Sequence, residues 1–168
     1  MEPSLKYARI ERERRFLLDR FPSDVAVVRT RRIVDRYIEG TRLRLREVTE
    51  EGVATQWKLT QKIPTPGSGA QQGFLTTIYL SADEFGVLAQ LPAKELRKTR
   101  HSVPPFGIDV FEGELEGLVL AETEFDSAEA AASITLPCWI RREVSTDPRF
   151  AGGSLVCASR KDLQEWIK

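Results

Sequence analysis

Along most of this chain, hydrophobic and charged positions alternate with a period of two, the pattern of strands that bury one face. ARIERERRFLL, residues 8–18, is the first such run. DRYIEGTRLRLREV, residues 35–48, reads as two extended pieces with Gly40 as the turn between them. ATQWKLTQK (54–62) continues the alternation, and FLTTIYL (74–80) is β-branched and aromatic, as strands are. ELRKTRHSV and FGIDVFEG flank Pro104-Pro105 as a strand pair around a turn, and GLVLAETEF (117–125) is a further strand. Between these runs, PTPGSGAQQG (64–73) reads as an exposed loop.

Three stretches break the alternation and predict short helices. SADEFGVLAQL places Glu84 three residues after Ser81, a capping-box spacing. DSAEAAASI is the second. SRKDLQEWIK, about 159–168, is the third, with Ser159 as a cap and Leu163, Trp166 and Ile167 on one side. With no internal repeat and no linker-like stretch, the expectation is one domain over residues 1–168 with seven or eight strands.

The charges on these strands are gathered on single faces. Arg42, Arg44 and Arg46 share one face, with Leu43 and Leu45 on the other. Lys58, Thr60 and Lys62 share a face, as do Lys98 and Arg100, Glu122 and Glu124, and Glu11, Glu13 and Arg15. Two packings satisfy this pattern. Charged faces can point to water around an apolar core, or they can line the wet interior of a closed barrel. The first places three arginines side by side with nothing gained from their repulsion.

Composition narrows the class without choosing between the two. The 25 basic and 25 acidic residues cancel, so net charge predicts no polyanionic macromolecule as partner. At 30% charged and 41% hydrophobic the chain has the composition of a soluble globular domain. No apolar run approaches about 18 residues and the N-terminal stretch has no apolar segment of signal type, so a cytoplasmic location is expected and no membrane. Cys138 and Cys157 have no metal-like spacing; they are expected, with Trp57, Trp139 and Phe111, to serve packing. His101, the single histidine, is expected at the surface or in a structural role.

Inward-facing basic strands need an anion. Guanidinium forks and ammonium groups suit phosphate oxygens, whereas carboxylates suit a hard divalent cation, Mg²⁺ or Mn²⁺, that bridges protein and phosphate oxygens. The two sets together point to a metal-assisted polyphosphate site.

The ordered motifs carry a resemblance. Glu11-Arg12-Glu13-Arg14-Arg15, TRLRLR, KLTQK, KTR, IDVFEGELEGLVLAETEF and PCWIRREVSTDPRF together resemble the CYTH domain, or triphosphate tunnel metalloenzymes, over residues about 9–150. The resemblance implies a mainly β (α+β) fold, a closed eight-stranded antiparallel β-barrel with a few short peripheral helices. It implies metal coordination by Glu11, Glu13, Glu122 and Glu124, with Asp109 near the metal. It implies triphosphate contacts from Arg15, Arg44, Arg46, Lys62, Lys98 and Arg100, with Arg42 and Lys58 on the same faces. Glu143 matches a recurring element, either tunnel-lining or structural, and Tyr37 is a candidate to touch substrate.

Two departures stand out: Arg15 occupies the position of a lysine, and Leu75 and Thr77 stand where acids are common. The expected activity is metal-dependent hydrolysis of inorganic tripolyphosphate or an organic or nucleoside triphosphate. The alternatives are a non-catalytic triphosphate- or polyphosphate-binding module, and adenylate cyclase chemistry of class IV type. The expected partner is a triphosphate-containing small molecule, not nucleic acid, with the chain a monomer or homodimer.

Overall fold

The structure, a computed structural model, describes residues 5–65 and 72–168. Among these residues nine strands occur: β1 (Arg9–Leu18), β2 (Arg29–Ile38), β3 (Leu43–Glu50), β4 (Val53–Pro64), β5 (Gln72–Leu80), β6 (Ala93–Val103), β7 (Phe106–Phe111), β8 (Val119–Glu124) and β9 (Arg142–Glu143). They form one antiparallel sheet in the order β5-β4-β3-β2-β6-β7-β8-β1-β9, and β5 also pairs with β1. That last pairing closes β1–β8 into the expected eight-stranded barrel.

β1 is the seam. One of its edges carries β8 along Glu13–Leu18, whereas the other carries β5 along Arg9–Arg12 and then β9 at Phe16 and Leu17. β9 therefore continues that edge where β5 ends. β2 begins six residues before the stretch in which alternation signals a strand. Its early residues, RTRRIV, put arginines on both faces, and no apolar stripe marks them.

The helices fall where predicted. α1 (Ala82–Leu88) starts in a capping box between Ser81 and Glu84, and α2 (Ala128–Ser133) is capped by Ser127. The third predicted helix, at Arg160–Trp166, is capped by Ser159 with Asp162 completing the box. Before it comes an unpredicted short helix, Gly152–Leu155, so these two are α3 and α4. Of the predicted loop 64–73, residues 66–71 lie outside those described. Gly40, at the predicted turn, has φ +69°, a conformation glycine adopts without strain. No helix among the described residues is long and apolar enough to cross a membrane.

Two apolar clusters frame the barrel. Phe16, Leu18, Phe106, Ile108, Val119 and Ala121 pack on its outside beneath Ile134, Trp139 and Ile140. The second cluster plugs one end. Leu17, Leu96, Phe111 and Leu120 point inward from four neighbouring strands and meet Phe150, Leu155 and Leu163 from the C-terminal segment. The inward face of each of these strands thus begins as apolar floor and turns charged above it.

Candidate active site

Register fixes which side chains share the interior, because residues directly opposite in an antiparallel pair point to the same face. Arg15 stands opposite Glu122 and Glu13 opposite Glu124; Arg100 stands opposite Asp109. Asp35 stands opposite Arg46, and Arg46 opposite Lys58. The charged faces are turned inward, and the interior is a web of ion pairs.

Arg15 is the hub of the acidic side, buried to 6% exposure. It donates through Nε to Glu122 at 2.9 Å, through Nη2 to Glu13 at 2.7 Å and through Nη1 to the Phe150 carbonyl at 2.8 Å. Arg100 donates twice to Asp109 at 2.6 Å and also to Glu122, while Lys98 reaches Asp109 at 2.5 Å. Burial by itself would raise the Glu122 pKa, but Lys98, Arg100 and Arg15 hold it well below the usual carboxylate range. For Lys98 burial wins over Asp109, and its pKa is lowered.

Lys62 bridges the first two carboxylates, 2.5 Å from Glu11 and 2.8 Å from Glu13. Burial pulls its pKa down, and Glu13 and Glu11 more than offset this, so the net shift is upward. On the opposite wall Asp35, 1% exposed, accepts two bonds from Arg46 at 2.6 and 2.7 Å and faces Arg44 at 3.5 Å. Asp35 was not singled out in the sequence. Its signal was the register that places DRY across from RLR, which needs the pairing of β2 with β3. Arg31 is a second inward residue missed, because the start of β2 carries arginines on both faces and shows no stripe. Tyr37 lies by Arg44 and packs on the floor cluster, its hydroxyl held above its ordinary pKa by burial and by Asp35.

Two expectations need correction, those for Arg42 and the cysteines, and two more residues, Glu124 and Glu143, gain a definite place. Arg42 lies exposed in the turn ahead of β3, off the strand that carries Arg44 and Arg46. Glu124 is on the inner face but at the rim, its side chain 58% exposed and paired with Arg9 at 3.3 Å. Glu143 sits outside the barrel on β9, bound to Arg14 at 2.6 Å and to Ser145, so of its two readings the structure places it in the structural one. Both cysteine thiols are free and exposed rather than packed, because each lies on a short C-terminal connection that turns to solvent. Trp57, Trp139 and Phe111 do pack, against Phe85, Phe106 and the floor cluster respectively. His101 bonds Thr30 at 3.1 Å and lies edge-on to Phe21, a structural setting.

Leu75, Thr77 and Tyr79 face the interior from β5, opposite Lys62, Thr60 and Lys58. This wall carries no acid. Among the described residues no three His, Cys, Asp or Glu side chains are grouped as a preformed metal cage. A hard divalent cation nevertheless fits the donors on β1. Glu11 and Glu13 are two carboxylates on one face, and the buried Glu11 Oε2 lacks a well-angled hydrogen bond despite its closeness to Lys62. Mg²⁺ or Mn²⁺ held there would complete its shell with oxygens from substrate and water.

A closed barrel with cations and carboxylates interleaved around its interior defines a class of protein that holds small, highly charged anions. The chain is 33% identical over 155 residues to the inorganic triphosphatase of Nitrosomonas europaea, spanning 86% of this chain and 95% of that one. It is also 43% identical over 58 residues, about a third of each chain, to the inorganic triphosphatase of Acetivibrio thermocellus. The solved structure of the inorganic triphosphatase NE1496 superposes with a TM-score of 0.57 at 26% identity, covering 88% of this chain and 95% of that one. The PH1819 protein of Pyrococcus horikoshii shares the fold, with a TM-score of 0.51 at 19% identity over 73% of this chain and 82% of that one. No family model matches the chain. The chain belongs to the family of the inorganic triphosphatases.

Proposed function

We propose that this protein is a triphosphatase of the triphosphate tunnel (CYTH) type, which hydrolyses a phosphoanhydride bond of inorganic triphosphate inside the barrel. The observation that carries this reading is the set of inward cations, Arg44, Arg46, Lys62, Lys98 and Arg100, arranged around one interior with Glu11 and Glu13 among them. The kinship with inorganic triphosphatases supports the substrate class.

The chain's own groups would act by positioning and charge. Phosphate oxygens entering the interior take the place of Glu11 and Glu13 on Lys62, and add to the bonds of Arg44 and Arg46. The cations stabilise charge that grows on the leaving phosphate in a water-poor setting. Asp35 keeps Arg46 from swinging away as the anion comes and goes. Glu11 and Glu13, freed from Lys62, are the residues that would hold Mg²⁺ or Mn²⁺, with Glu122 and Asp109 behind them. Bound there, the ion would neutralise phosphate charge and lower the pKa of a water.

A binding module without turnover is the second reading, and one observation favours it. Asp109 and Glu122 are already saturated by Lys98, Arg100 and Arg15. Phosphate release from tripolyphosphate, measured with and without Mg²⁺ or Mn²⁺, separates the two. Metal-dependent release is expected; tight binding with no release at any metal concentration overturns hydrolysis.

A further inference from the structure

Among the described residues, the inward cations above the apolar floor mostly have a carboxylate of their own; Arg31 and Lys58 do not. Arg31 stands directly opposite Arg100, and Lys58 directly opposite Arg46. Arg100 is taken by Asp109 and Glu122, and Arg46 by Asp35. Like charges facing each other across strands destabilise a sheet unless something lies between them. Arg31 has a 3.3 Å bond to the Ser102 hydroxyl, and its Nε is buried with no partner. The Lys58 ammonium has no carboxylate among the described residues and sits 5.1 Å over the ring of Tyr79. Of the other cations on that wall, Arg29 is bound to Glu50 at 2.6 Å and Arg44 faces Asp35 at 3.5 Å.

We infer that Arg31 and Lys58 form a second anion seat, which takes the end phosphate of an inorganic chain and makes the site prefer inorganic triphosphate to nucleoside triphosphates. The inference rests on the function proposed above. Inorganic triphosphate ends in a charged phosphate on both sides, whereas a nucleoside triphosphate presents an ester, a sugar and a base at one of them. Cations that lack a carboxylate partner gain only from the end that is charged. Lys58 is partly buried in the field of Arg46, Arg31, Arg44 and Arg29, which lowers its pKa, so an anion there relieves repulsion as well as adding bonds. The acid-free β5 wall, Leu75, Thr77 and Tyr79, leaves nothing to repel that phosphate.

The experiment compares kcat/KM for tripolyphosphate and for ATP, at one metal concentration, in the wild type and in Arg31→Gln and Lys58→Gln. Tripolyphosphate binding is followed in parallel by calorimetry without added metal. Each variant should lower the tripolyphosphate-to-ATP ratio about tenfold, the size of one lost charged hydrogen bond, and mainly through KM. Arg31→Lys and Lys58→Arg, which keep the charge, should keep most of the ratio and control for folding. A wild type that discriminates, with Gln variants that leave the ratio and the calorimetric affinity unchanged, overturns the seat alone. A wild type that neither binds nor hydrolyses tripolyphosphate overturns the seat together with the proposed function.

Discussion

Arg46 holds Asp35 through two nitrogens, at 2.6 and 2.7 Å, inside a barrel where Asp35 is 1% exposed. Arg44 shares the same carboxylate at 3.5 Å. One acid thus sets the position of two arginines, and its loss would leave both charges without their counter-ion in a confined space.

Asp35→Asn should therefore destabilise the fold by about 3 kcal/mol, the cost of breaking a buried pair from one side. Urea unfolding at neutral pH reads this directly. Loss of stability within a few tenths of a kcal/mol would mean that water, not Asp35, satisfies the arginines.

The same pair predicts an acid limb. Burial would raise the Asp35 pKa, but Arg46 and Arg44 bring it down to about 2 from 3.8. A depressed folded-state pKa gives stability that is fully present above the unfolded value and is lost as pH falls through the folded one. The contribution, roughly 2 kcal/mol at neutral pH, should fade between those two values. Unfolding free energies measured down this range should fall less steeply for Asp35→Asn than for the wild type.

Arg15 connects the acidic wall to the plug, since one guanidinium serves Glu122, Glu13 and the Phe150 carbonyl. A lysine ammonium donates from one nitrogen and cannot reach three acceptors spread around a planar guanidinium fork. Arg15→Lys should cost about 1–3 kcal/mol, and amide exchange in residues 148–157 should quicken. Unchanged exchange there would show that the plug holds without this tie.

Gly152 approaches Tyr37 so closely that an added Cβ would collide with the hydroxyl oxygen and lie 3.1 Å from Cζ. Gly152→Ala should destabilise by about 1–3 kcal/mol through overpacking. In a Tyr37→Phe background the cost should be smaller, because the nearest atom is gone. Equal costs in both backgrounds would place the clash elsewhere.

Glu11 and Glu13 make the metal proposal testable without turnover. Glu13→Gln should weaken Mn²⁺ binding, followed by electron paramagnetic resonance, about tenfold or more. Undiminished Mn²⁺ affinity together with undiminished phosphate release would remove Glu13 from the metal site.

Much of the barrel was legible residue by residue. Alternation located β1, β3 to β8 and the inner faces of Glu11, Glu13, Lys98 and Arg100, because a strand's two faces differ whichever one is buried. Ser81 and Ser159 marked two of the helix starts, since a cap acts within one turn. The start of β2 was not legible, as a strand charged on both faces has no stripe to detect. β9 is two residues long and α3 is GGSL, too short to carry a period.

Local order along the chain thus settled which residues share a face, and the ordered motifs pointed to the closed barrel they line. Which charge meets which was decided by barrel closure and by strand register. The pairing of β5 with β1 brings Lys62 to Glu11 and Glu13 across 49 residues or more of sequence, and strand register alone sets Asp35 beneath Arg44 and Arg46. Period two says where a side chain points, but the partner it finds there depends on strands that are neighbours in space and not in sequence.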